Sequence, residues 1–135
     1  MQERDIEQLV ADYLHEVVEA RGGDEREAAD RVQSLVLYDP ESAWEVAFRV
    51  LQLADSENAA SIVGAGIIEQ LLGSYPEQFM PRAAKLAVED NRARRAMKYV
   101  DIRTDEIPAE CFRQFERIQE QIRAREVRPT DSTNR

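Results

Sequence analysis

The sequence predicts an all-α chain, and three observations carry that prediction. Apolar residues recur at steps of three and four along most of its length, clean two-residue alternation is absent, and the glycines and prolines, Gly64 and Gly66 apart, fall where helices would begin or end. Together they predict about six to seven helices, consecutive ones packed as antiparallel hairpins in one irregular α-α superhelical domain over residues 1–126. The stretch "VRPTDSTNR" has no apolar periodicity, so residues 127–135 are expected to form a flexible tail.

The first helix carries Ile6, Leu9, Val10, Tyr13, Leu14, Val17 and Val18 on one stripe and acids on its outer face, and "RGGDE" ends it at Gly22. Asp24 is expected to cap the second helix, whose stripe is Ala28, Ala29, Val32, Leu35 and Val36 and which ends near Tyr38. Asp39-Pro40-Glu41 then supplies an N-cap, a proline at the first helical position and an acid against the dipole.

The third helix, "PESAWEVAFRVLQLA", is apolar around most of its circumference: Trp44, Phe48 and Leu51 face one way, Val46, Val50 and Leu53 another. Such a helix must be covered on more than one side. The fourth, capped by Ser56 and ending at Gly73, is equally apolar, and these two should form the centre, with Trp44, Phe48, Leu51, Ile67 and Leu71 in the core. Gly64 and Gly66 lie inside the fourth helix, where they would let another helix backbone come close.

A fifth helix carries Phe79, Met80, Ala83, Leu86 and Ala87, with its regular part expected from Pro81 because an interior proline breaks a helix. Asp90 or Asn91 starts a short sixth, "RARRAMKYV", and "TDEIPAE" introduces a seventh with Cys111, Phe112, Phe115, Ile118 and Ile122 on one face.

At 135 residues the chain can bury roughly two thirds of its unfolded surface without covalent staples. Its single cysteine, Cys111, allows no internal disulfide and fits a reducing compartment, with the cytoplasm as the default. No stretch has the run of apolar residues a membrane span needs, and "MQERDIEQ" is too polar for a signal peptide.

The net charge of −9 is unevenly spread. Residues 1–30 hold ten acids and three bases, a net −7, whereas residues 91–125 hold nine bases and six acids, a net +3. Overall acidity disfavours nucleic acid as the main ligand and favours a basic protein partner or a homodimer. Asp12, Glu16 and Glu19 are the candidate partner-binding acids, and Arg92, Arg95 and Lys98 the candidate cations. With Arg94, these cations are expected to pair with the acidic first helices, within the chain or across a dimer, and a phosphate or RNA patch is the competing reading.

Catalytic chemistry finds little footing. His15 points away from the apolar stripe and has no positioned nucleophile, and Cys111 shares the apolar face of Phe115 and Ile118, where burial makes a thiol inert. No metal-ligand spacing and no phosphate-binding glycine loop is present, so neither catalytic residues nor a metal or cofactor is expected.

Glu69 stands inside "AGIIEQLLG", the most apolar part of the chain. It falls beside Ile62 and Ala65 on the helical wheel, and no cation lies three or four residues away. A tertiary partner is therefore expected: the amides that open the fifth helix near residues 78–82, or Arg82, Lys85 or Arg49.

The motifs "DPESAWEVAFRVL", "AGIIEQLL" and "AVEDNRARRAMKYV", within residues 37–100, resemble an uncharacterised family of small bacterial all-helical proteins named only as a domain of unknown function. More loosely, the paired helices look like HEAT or armadillo units. The resemblance covers about half the chain and implies that Glu69 belongs to the scaffold signature and that the helical pairs serve protein contacts; Trp44 and Gly66 are structural on their own placement in the two central helices. The expected function is a non-enzymatic protein–protein interaction domain, immunity- or antitoxin-like; the alternative is a structural subunit of a homo-oligomer or larger bacterial assembly.

Overall fold

A computed structural model describes residues 1–19 and 27–126 and places them in seven helices, with no strand among the described residues. Helix α1 covers Glu3–Tyr13 and continues as a π turn over Leu14–Val18; α2 is Glu27–Tyr38 and α3 is Pro40–Leu53. Helix α4 is α-helical over Glu57–Val63, opens into a π turn over Gly64–Ile68 and closes again over Glu69–Ser74. Then follow α5, Pro76–Glu89, α6, Asn91–Met97, and α7, Ala109–Glu126. The expected end of α1 at Gly22, the cap of α2 at Asp24 and the tail after residue 126 lie outside the described residues.

Local chemistry sets three of the starts as the sequence predicts. Asp39 accepts from Ser42 N at 3.4 Å and from Ser42 Oγ at 2.7 Å, with Pro40 as the first helical residue. Ser56 Oγ accepts from Ala59 N at 3.1 Å, and Asp90 Oδ1 accepts from Arg92 N at 2.9 Å and Ala93 N at 3.4 Å. Each cap of this kind contributes about 1 kcal/mol by satisfying an amide that has no partner inside its helix.

Some boundaries differ from expectation; α6, expected to run through "RARRAMKYV", closes at Met97. Helix α5 begins at Pro76 and holds Pro81 in its interior. That proline removes only the bond Glu77 O would have accepted, and because both residues are exposed, water reaches the freed carbonyl. Helix α4 runs past Gly73 to Ser74, where Tyr75 N closes it on Leu71 O at 2.8 Å.

Helices α1, α2 and α3 pack on one another; α4 packs on α3 and α6, and α5 on α6 and α7. Next-but-one pairs such as α1 with α3 and α5 with α7 thus join the consecutive hairpins. The π turn of α4 sits where the two halves meet, touching α2 and α3 on one side and α6 on the other. Three side chains tie helix ends together by bonding carbonyls at those ends: Asn58 Nδ2 donates to Val18 O at 2.9 Å, Tyr75 OH to Val36 O at 2.6 Å and Gln119 Nε2 to Met97 O at 3.0 Å.

Leu51, Ile67 and Leu71 are buried as expected, but Trp44 and Phe48 are only half-buried. Trp44 lies between Phe48 and Phe79, with ring centroids 4.6 and 5.0 Å away, and stays partly open to solvent. It covers the core more than it fills it. Leu53, expected to face inward, is 68% exposed, because the helices around α3 leave its last turn open.

Gly64 fulfils the expectation of a close approach. A Cβ there would stand 2.1 Å from the Ala96 carbonyl oxygen and 3.2 Å from Tyr99 Cβ, so α4 and the end of α6 touch backbone to backbone. Gly66 does not share that role, since the nearest atom to a Cβ at that position is the Tyr13 hydroxyl at 3.7 Å, an ordinary contact.

Candidate functional site

Two of the three candidate acids on α1 are engaged within the chain. Asp12 accepts from Gln8 Nε2 at 3.0 Å and pairs with Arg31 at 3.3 Å. Glu16 Oε1 accepts from Ala28 N at 2.9 Å and so caps the first turn of α2. Glu19 is exposed just beyond the π turn. The three acids therefore do not form one free face, because two of them hold α1 against α2.

The candidate cations are also engaged, but not with the acidic first helices. Arg95 pairs with Asp55 at 2.9 Å and approaches Glu57 at 3.7 Å, Arg92 lies 3.8 Å from Asp55, and Lys98 bonds Glu126 at 2.9 Å and approaches Glu57 at 3.8 Å. Tyr99 OH donates to Glu57, whose carboxyl is held below its ordinary value by this bond first and by Lys98 and Arg95 after it. The packing of α4 on α6 brings these groups together at the start of α4.

Glu69 has a tertiary partner, though none of the expected ones. Its Oε1 accepts from Asp101 N at 2.8 Å, in the turn that leaves α6. Arg82 is held instead by Glu41 at 2.6 Å, and Arg49 by Glu3 and Glu45 at 2.5 and 2.7 Å. With Glu41 bound by Arg82 and also by Gln78 Nε2 at 2.7 Å, its carboxyl lies below the ordinary range. We expect Glu69→Ala to lower stability by about 1 kcal/mol, since the exposed Asp101 amide loses the acceptor that the half-buried Glu69 gives it, and Glu69→Gln to cost less because the amide oxygen still accepts. Urea denaturation of the two variants checks this, and equal losses would show that the hydrogen bond is not what Glu69 contributes.

His15 is exposed and Cys111 is buried among the residues of α7's inner face, where burial pushes its thiol above the ordinary value, with Glu77 and Glu110 adding to the shift. Among the described residues no three acids, histidines or cysteines gather in a way that could hold a metal ion. Tyr13 is buried beneath α4, and burial raises its hydroxyl to about 12.

One concave surface that the sequence does not reveal is a groove of about 450 Å³ between α1 and α3. Val10, Ala11, Leu14 and Leu53 give it apolar walls, and Glu7 and Glu45 stand at its rim. Arg49 also lines it, but its guanidinium is spent on Glu3 and Glu45, so the local charge remains negative. Nothing in the spacing of α3 separates Leu53 from Val46 and Val50, which are buried. Its exposure follows from which neighbours α3 acquires.

No helix among the described residues is long and apolar enough to cross a membrane. No family model, curated protein or solved structure matches the chain.

Proposed function

We propose that this chain is a non-enzymatic protein–protein interaction domain whose groove between α1 and α3 receives a basic amphipathic helix of a partner protein, as an immunity or antitoxin protein would cover a basic target. The observation that carries the reading is the groove itself: a leucine 68% exposed beside Leu14, Val10 and Ala11, with an acidic rim. An amphipathic helix meets such a surface by laying leucine- or isoleucine-type anchors on its walls and lysines or arginines against Glu7 and Glu45. The exposed histidine and the buried, unreactive thiol supply no nucleophile or base, which supports a binding role over a catalytic one. A single buried cysteine and the likeness to small bacterial helical proteins suit a bacterial cytoplasm.

The alternative is a homo-oligomer in which the acidic helices of one copy meet the cations of α6 in another. It has less support, because Arg92, Arg95 and Lys98 already pair with Asp55, Glu57 and Glu126 of their own chain.

The test places a photo-cross-linker at residue 53 in the native host, purifies the captured protein and measures its binding to the unmodified chain. Leu53→Glu should weaken that binding about tenfold or more, by setting a carboxylate against the apolar anchors, and added salt should slow association. A purified partner that binds Leu53→Glu as tightly as the parent chain would overturn the reading. Sedimentation that shows a concentration-dependent doubling of mass, lost in Leu53→Glu, would move it to the homo-oligomer.

A further inference from the structure

We propose that the cleft between α6 and α7 binds a small phosphate-bearing anion, gripped between Arg94 and Arg125. The cleft has a volume of about 260 Å³ and is lined by Arg94, Arg95, Lys98 and Arg125, with Ile122 as an apolar wall and Glu126 as its one carboxylate. These helices do not form the α1/α3 groove, so the inference stands apart from the proposed docking of a partner helix.

The four cations differ in how they are held. Arg95 is committed to Asp55 at 2.9 Å and Lys98 to Glu126 at 2.9 Å, and the latter pair also neutralises the cleft's own carboxylate. Arg94 meets only uncharged oxygens: Nε donates to Ala87 O at 2.9 Å, Nη1 to Asn91 Oδ1 at 3.0 Å and Nη2 to Val88 O at 3.2 Å. Those bonds lock its guanidinium plane against the end of α5 while leaving two of its five N–H groups and its whole charge uncommitted. Arg125 has no hydrogen-bond or ion-pair partner among the described residues, and it approaches from α7.

Two guanidiniums that face one cleft without a carboxylate between them repel each other. Arg94 registers this: burial pushes its pKa below the ordinary value, the charge of Arg125 pushes it further, and Asp90 opposes both. A dianionic phosphate between the two would replace repulsion by charge-assisted hydrogen bonds to one locked fork and one adaptable fork.

The same arrangement selects against a polynucleotide. Beyond the cleft the phosphates of a long strand would meet Asp55, Glu57 and Asp90 on a chain of net charge −9, whereas a phosphomonoester or diphosphate ends within it.

The test titrates the full ¹⁵N-labelled chain with sodium phosphate and then pyrophosphate, at ionic strength held constant with sodium chloride. Saturable shifts should be confined to the side-chain and backbone signals of Arg94, Arg95, Lys98 and Arg125. Arg125→Gln should weaken the affinity about tenfold or more while leaving the phosphate-free melting temperature unchanged, because Arg125 is exposed and holds no other group in place. Arg92→Gln, on α6 but outside the cleft, should bind as the parent chain does. Shifts that rise linearly without saturating, or an Arg125→Gln variant that binds equally well, would overturn the proposal. A single-stranded RNA oligonucleotide that binds saturably where phosphate and pyrophosphate do not would overturn it too, in favour of a nucleic-acid surface.

Discussion

Phe79→Ala is expected to lower the stability of the domain by about 3–5 kcal/mol, the largest loss from any single truncation in this chain. Phe79 is fully buried, its ring stacks on Trp44 with planes 20° apart, and Tyr75 meets it edge-on at 6.1 Å. The Arg82 guanidinium lies 5.1 Å above the same ring and is itself fastened to Glu41. Since these neighbours are held from several sides, the space left by the ring cannot collapse, and the cavity term adds to the lost transfer energy. Phe48→Ala, which truncates a half-buried ring on the outer side of Trp44, should cost less, about 1–2 kcal/mol. Urea denaturation of both variants decides the matter, and a Phe48 loss equal to that of Phe79 would place the core on the wrong side of Trp44.

Gly64→Ala and Gly66→Ala should part in opposite directions although the two residues are separated by a single alanine. At Gly64 the new methyl collides with the Ala96 carbonyl, which belongs to backbone and cannot rotate aside, so α6 must be pushed off α4. A loss of about 3 kcal/mol is expected, which in a domain of this size lowers the melting temperature by roughly 10 °C. At Gly66 the methyl makes an ordinary contact with the Tyr13 hydroxyl and the helix gains a better former, so the variant should be neutral or up to about 1 kcal/mol more stable. Thermal melts of the pair check the ordering. A Gly64→Ala variant as stable as the parent would mean that α4 and α6 are not in backbone contact.

The sequence makes the starts of α3, α4 and α6 legible because a cap is a contract between residues two or three positions apart. Asp39 with Ser42, Ser56 with Ala59 and Asp90 with Arg92 need no tertiary information. Facing is a different matter. Periodicity tells which residues share an arc, and when a helix is apolar all round, as α3 is, it does not tell which arc the neighbours cover; hence Leu53, Trp44 and Phe48 sit further out than their spacing suggests. Glu69 correctly demanded a distant partner, but an antiparallel hairpin pointed to α5, whereas α4 and α6 pack directly and bring up the Asp101 amide. The same packing explains the cations: arithmetic over long blocks of sequence assigned them to the acidic N-terminus, and proximity gave them Asp55 and Glu57. The cleft was half legible, since the α6 cations were visible as a run and Arg125 lies on a helix that only folding brings near.

The π turns carry a consequence about rhythm. In α4 the buried residues come in pairs four apart, Ala59 and Ala60, Val63 and Gly64, Ile67 and Ile68, Leu71 and Leu72. An α-helix advances about 100° per residue, so each four-residue step overshoots a full turn by about 40°, and three steps would carry the last pair about 120° away from the first. A π turn spends one extra residue on its turn and takes back about 100° of that drift. The Gly64 carbonyl bonded five residues on to Glu69 N is the stitch that does so, and it returns all four pairs to one side. Ile6, Val10, Leu14 and Val18 keep the same beat in α1, where Glu19 N reaches back to Leu14 O at 2.9 Å. Each widened turn thus acts as a phase correction, written in advance by a four-residue meter that an unbroken α-helix could not keep in step.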